Sequence, residues 1–312
     1  MRTFFEWTAT DDPGKVIDVQ AAGGWDEIRQ TYAGSTTSRQ LDRVIAIGQG
    51  HGVRTVLVEF RYIDLDYRSE HSSFYGTTFR RYPSVCHRLH FFSEKVSVDL
   101  SNLGSLQDAY RGYSVMRPLP QSPVGRTMVP PPKELEEATV CLATDTVHLF
   151  GYSFNVVAMP FISQDAQYLR CAHAAQWMTL QFAHLVLGMP RRLPADVHTA
   201  SLGGVVVGRQ VPSEGLSSYQ MLVGLQALGL SPSLTRLPLD RAASKAAGQF
   251  GLFPILCRYV NSAMPPIVVS DQHAWVVTVQ VPAGWGGIQG PVVKSCRRAS
   301  SRLLPCLPAV WR

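Results

Sequence analysis

Residues 164–188 read QDAQYLRCAHAAQWMTLQFAHLVLG. Cys171, Ala174, Met178, Phe182 and Leu185 recur at spacings of three and four, which sets them on one face of a helix. The period predicts a helix over 168–188 with Cys171 at or near its start. A cysteine acts as a nucleophile only as its thiolate, and the free N–H groups and dipole at a helix start favour that anion. A histidine held beside it would complete the ion pair and shuttle the proton. The small residues Ala172, Ala174 and Ala175 would let a substrate approach the helix end. A side-chain amide a few residues upstream can supply an oxyanion donor.

Downstream, 217–228 reads as a second helix. Ser217 and Gln220 form a capping box, and Gly229 stands where a C-terminal cap belongs. Asp240 could cap a third, alanine-rich helix. Residues 266–269 and 274–281 have strand character, and His273 immediately precedes the second of these.

Upstream, 53–62, 89–98 and 112–117 read as strands, 67–79 as a helix and 103–110 as a short helix. The proline-rich stretch 117–132 is expected to hold no regular structure, because proline removes donors and breaks ladders. Two strand-like runs follow, 138–143 and 147–159, the second interrupted by Gly151. The fold class expected is α+β, with an N-terminal mixed domain of unknown role over 1–135 and a second domain over 136–312.

The 312 residues are 46% apolar and 17% charged, ample for a buried core and unlike a disordered chain. The formal charge is +6, but no acidic residue follows Asp271, while Lys294, Arg297, Arg298, Arg302 and Arg312 do. Removing those five leaves about +1, so the basic character belongs to the tail and argues only weakly for nucleic acid. Glu6, Asp11 and Asp12 interrupt any leader-like apolar run, and no stretch of about 18 apolar residues exists, so no membrane span is expected. With no leader visible, the six cysteines are expected to be reduced thiols and the chain cytoplasmic. No internal repeat, P-loop or dinucleotide-binding glycine fingerprint is present, and the glycine-rich run 203–208 lacks a lysine.

Taken in order, three segments resemble papain-like cysteine peptidases of the bacterial C39-like kind. The first is the Gln, short loop and Cys171 opening a helix. The second runs Gly215-Leu216-Ser217 into a helix ending at Gly229. The third is Ala263-Met264-Pro265-Pro266-Ile267-Val268-Val269 followed by His273-Ala274-Trp275. The resemblance covers about 155–281. It implies a papain-like domain in which Cys171 is nucleophile, His273 is base, and Gln164 or Gln167 serves the oxyanion. It implies a peptide or protein substrate and neither cofactor nor metal. Three departures stand out. Asp165 occupies the place, six before the cysteine, where the family carries its glutamine. Ala172 stands where glycine is favoured. No Asp or Asn follows His273, which leaves Gln280 and Gln289 as the remaining amides. The competing reading is a catalytically degenerate domain that binds a peptide or protein.

Each residue also has a plainer reading. Cys171 on an apolar helix face is a small buried hydrophobe, His273 a strand-end histidine, and His173 a structural residue. Cys86, His87 and His90 would need a further ligand, from His71 or Cys141, to hold zinc, and no metal is expected. Arg80, Arg81 and Arg88 with Tyr82, Phe91 and Phe92 have the composition of a single-strand nucleic-acid surface, but a solvated end beside a core strand is favoured. From about 292 the chain turns to Arg, Ser, Pro and Cys without strand period. This atypical tail, 292–312, raises the hypothesis of out-of-frame translation, with the native C-terminal strands and the triad's third residue truncated or replaced.

Overall fold

The computed structural model describes residues 12–33, 38–135, 137–165, 167–202, 215–236, 252–270, 273–281 and 302–305. Asp240, the run 203–208 and Gln289 lie outside these.

The fold is α+β with antiparallel sheets. Strands β1 (Gly14–Asp18), β2 (Thr55–Tyr62), β3 (Cys86–Phe92), β4 (Tyr110–Met116) and β5 (Val124–Met128) lie side by side in chain order, each antiparallel to the next. Every residue of β3 is buried, as the middle of a sheet covered on both faces requires. On one face Val56, Val58, Leu89 and Phe91 pack with Ile28, Tyr32, Leu41 and Val44 of helices α1 (Gly24–Ala33) and α2 (Arg39–Gly50). On the other, Leu57, Phe92, Tyr110 and Val115 pack with Val147, Leu149, Phe154 and Val156. Those last four belong to a hairpin of β7 (Ala143–Leu149) and β8 (Tyr152–Ala158). Its two-residue turn has positive φ at Phe150 (48°) and Gly151 (88°), the twist that suits a tight hairpin.

Strand β5 corrects one expectation. It lies inside 117–132, paired with β4 on one side and with β9 (Phe161–Ile162) on the other. The prolines at 118, 120, 123 and 130–132 flank the strand without entering it, so its ladder keeps its donors. The helix expected over 67–79 is α3 (Leu65–Ser73), capped by Asp64 and followed by a single 3-10 turn at Tyr75–Thr77. Residues 103–110 hold only the 3-10 turn Leu103–Ser105.

Helix α4 (Cys171–Leu187) ends where Gly188 turns left-handed at φ 68°. It is apolar nearly all round, and Ala172, Ala175, Trp177, Met178, Leu180 and Phe182 are all buried. Helices α5 (Pro194–Ser201) and α6 (Ser218–Ala227) pack against it, and α6 carries the expected capping box. On its remaining side lies a second sheet. There β11 (Ala274–Val281) pairs with β10 (Ile267–Val269), β6 (Thr139–Val140) and β12 (Arg302–Pro305), and helix α7 (Leu252–Asn261) packs on it. The β12 pairing puts a short strand in the tail where none was expected. Two features join the stretches either side of position 135. β9 completes the first sheet, and one buried apolar cluster runs from Ile17 to Val277.

Candidate active site

Cys171 is the first residue of α4, and its side chain is half-buried. Arg170, in extended conformation, caps the helix without a side-chain bond. The opening N–H groups of a helix have no intrahelical acceptor, so the positive end of the dipole lies at the Cys171 thiol. Elsewhere in the described residues, burial pushes the Cys86 and Cys257 thiols up, and Cys141 up to about 11.

The turn entering α4 is organised by Asp165. Its Oδ1 accepts the backbone N–H groups of Gln167, Tyr168 and Leu169 at 2.8, 2.8 and 2.9 Å. Its Oδ2 accepts the Tyr75 hydroxyl at 2.6 Å, and its own N–H donates to the Leu169 carbonyl. The chain just before it is pinned by Ser122, whose hydroxyl donates to the Gln164 carbonyl, and by Arg117, which donates to the Ser163 carbonyl. A carboxylate committed to four donors cannot itself donate, so Asp165 does not stand in for an oxyanion amide. Gln164 is exposed and Gln167 half-buried, and neither side-chain amide bonds to another described residue.

His273 stands at the entrance to β11. Its carbonyl accepts the Ser270 N–H at 2.8 Å, and its ring meets Trp275 edge-on at 4.9 Å. Helix α4 packs against both β11 and β10, so the elements carrying Cys171 and His273 are neighbours in the fold. Cys171 borders the same apolar cluster as Ala274 and Val276, the residues that follow His273.

No family model, curated protein or solved structure matches this chain. The site therefore has to be read from its own chemistry.

Next to Cys171 on α4, His173 is buried. Its ring stacks on His198, with Nε2 3.3 Å from His198 Nδ1, and Tyr168 stacks on the far face of His198. Burial lowers His173 to about 3 and lowers His198 as well, so the pair is neutral near pH 7. This supports the structural reading of His173.

Beneath α4 lies a buried ionic network that the sequence did not single out. Asp66 of α3 accepts from Trp177 Nε1 and Arg191, each at 3.0 Å, while Arg126 bridges to Asp64 at 3.0 Å and faces Asp66 at 3.5 Å. Arg117 pairs with Glu70 at 3.2 Å. Its only sequence trace was the acidic spacing of Asp64, which caps α3, with Asp66 and Glu70 inside it.

The Cys86, His87 and His90 group is dispersed on β3, where alternate residues face opposite sides. His87 meets the Tyr32 hydroxyl, whereas His90 meets Tyr110 and Glu59. The basic-aromatic group divides too. Arg88, Phe91 and Phe92 are buried, with Arg88 bonded to Glu59 and lying over Tyr62, while Arg80 and Arg81 are exposed. Gln280 has a buried Oε1 with no partner among the described residues. Among those residues, no helix is long and apolar enough to cross a membrane.

Proposed function

We propose that the chain is a papain-like, C39-like cysteine hydrolase acting on peptide or amide bonds. The observation that carries the reading is a half-buried cysteine as first residue of a central helix, packed on the strand that His273 leads. The Cys171 thiolate attacks the carbonyl carbon and forms a tetrahedral oxyanion. The Cys171 N–H and the unspent amide of Gln164 or Gln167 donate to that oxyanion. His273, protonated by the thiol, passes its proton to the departing amine as the C–N bond breaks. Water, deprotonated by His273, then cleaves the thioester and regenerates the thiol.

One observation favours a second reading, a degenerate peptidase-fold binder: Asp165 fills the family's glutamine position and is wholly committed to the turn. Iodoacetamide labelling near pH 7, mapped by peptide mass, separates the two. The hydrolase reading expects Cys171 to label fastest of the six cysteines, and to slow at least tenfold in His273→Ala. Labelling of Cys171 no faster than Cys257, or unaffected by His273→Ala, removes the hydrolase reading.

A further inference from the structure

Beside the turn that leads into Cys171 lies a shallow depression. Tyr75, Tyr82, Leu119, Ser122, Arg80, Gln121 and Gln167 line it. Asp165 also borders it. An inventory of donors and acceptors decides what the depression can hold.

Among the described lining residues Asp165 is the only carboxylate, and both its oxygens are occupied, one by three backbone N–H groups and the other by the Tyr75 hydroxyl. The Ser122 hydroxyl is spent on the Gln164 carbonyl, and it accepts from Arg117. Four donor-bearing side chains remain: Arg80, Gln121, Gln167 and Tyr82, whose hydroxyl bonds to nothing among the described residues. Arg80 forms no ion pair among the described residues; its guanidinium lies 5.1 Å from the centre of the Tyr82 ring. The side-chain amides of Gln121 and Gln167 bond to nothing among the described residues. Adjacent Arg81, also exposed, adds a second positive charge to the same loop. The depression thus presents a cation, two amides and a phenol hydroxyl, and offers no free charged acceptor among its described lining residues. A planar anion is what a guanidinium fork beside amide donors takes best.

We infer that this depression binds a carboxylate of a peptide, gripped by Arg80 with Gln121 and Gln167 beside it. Gln167 lies four positions before Cys171, so their Cα atoms lie at most about 14 Å apart, the span of roughly four extended residues. A peptide anchored at Arg80 by an acidic residue could therefore present a bond within a few residues of that anchor to Cys171. Its role as a substrate determinant rests on the hydrolase reading; the binding itself does not.

Two peptide carboxylates could fill the site, a Glu side chain or a chain's own C-terminus. The probes are acetyl-Ala-Glu-Ala-amide, acetyl-Ala-Ala-Ala with a free C-terminus, and neutral acetyl-Ala-Gln-Ala-amide. Each is titrated at millimolar concentration into the full chain carrying Cys171→Ala, with ligand-observed NMR as readout, so catalysis plays no part. One of the two anionic peptides is expected to bind at least about tenfold more tightly than the neutral one. The tighter of the two names the source. Arg80→Ala should abolish that preference, Arg80→Lys should keep a part of it, and neither should alter stability, since Arg80 is exposed. Equal binding of all three peptides, binding of inorganic phosphate with no peptide preference, or a preference that survives Arg80→Ala overturns the proposal. Iodoacetamide labelling of the wild-type chain, which needs no peptide, reads the Cys171 and His273 pair separately. A labelled Cys171 without carboxylate preference would leave the hydrolase standing and this site refuted. Carboxylate preference with an inert Cys171 would do the reverse.

Discussion

Trp177 donates its indole N–H to Asp66 Oδ1 at 3.0 Å and so ties the helix that Cys171 opens to α3, 111 residues earlier in the chain. Both side chains are buried, and Asp66 Oδ2 is held by Arg191 with Arg126 close by. Burial and neighbouring Asp64 push Asp66 upward, while the two arginines and the indole oppose them. Trp177→Phe removes one of these partners and leaves part of the carboxylate buried without a donor. The expected loss is about 1–3 kcal/mol, with the cavity term included at the upper end. Urea unfolding of the two proteins checks it, through a lower midpoint at unchanged slope.

Asp165 gives a local prediction. Asp165→Ala strips acceptors from the N–H groups of Gln167, Tyr168 and Leu169 at once. These amides should then exchange hydrogen markedly faster, and stability should fall by about 1–3 kcal/mol. Asp165→Asn keeps an oxygen for those donors and can turn its amide toward the Tyr75 oxygen, so it should cost less than alanine. Equal exchange rates in Asp165→Ala and wild type would show that water replaces the carboxylate at no cost.

Acid should weaken the fold through its buried histidines. Burial holds His173 at about 3 and His87 and His90 at about 4, below the ordinary value of about 6.5. A group lowered in the folded state binds its proton more readily when unfolded. Its contribution is therefore complete above pH 6.5 and is lost as pH falls from there toward 3. For His173 the slope approaches about 1.4 kcal/mol per pH unit in that window. The test is urea unfolding at several values between pH 7.5 and 5. His173→Phe should flatten the profile by about one proton, whatever its stability at pH 7.

The parts of the fold legible in sequence were those where local chemistry and tertiary packing agree. The capping box at Ser217 and Gln220, the period of α4 and the β-branched run of β2 all appear where the residues put them. Strand β5 was hidden because its prolines mark the ends of a ladder rather than its absence, a distinction only the neighbouring strands reveal. Helix α5 opens on Pro194, where proline's missing N–H costs nothing, and no apolar period in its eight residues marked it. At the site, Cys171 as helix start and His273 as strand entrance were legible from spacing. Asp165 was noticed as a departure, but its commitment to Tyr75 was not, because that bond spans 90 residues. The Arg80 depression was likewise invisible, since sequence alone grouped Arg80 with Arg88, which faces the half-buried Glu59.

Gly224 and Gly50 make a pair that separates packing from propensity. Both lie in helices, where alanine is preferred over glycine by about 1 kcal/mol. At Gly224 an added Cβ would collide with Ser201 Oγ and come within 3.0 Å of Gln176 Oε1, the two side chains that bond each other where α5, α4 and α6 meet. That bond between buried groups ties α4 to α5 under Gly224 of α6, so neither side chain can yield without losing its partner. The steric cost of overpacking, about 1–3 kcal/mol, then outweighs the propensity gain, and Gly224→Ala should destabilise. At Gly50 a Cβ meets nothing within 4 Å and the residue is exposed, so Gly50→Ala should be neutral or stabilising by a few tenths of a kcal/mol, less than the interior value because the residue ends α2. Thermal or urea unfolding of both variants tests the contrast. Stabilisation by both would mean that α6 can slide away from α5, and that the Gln176–Ser201 bond does not fix their approach.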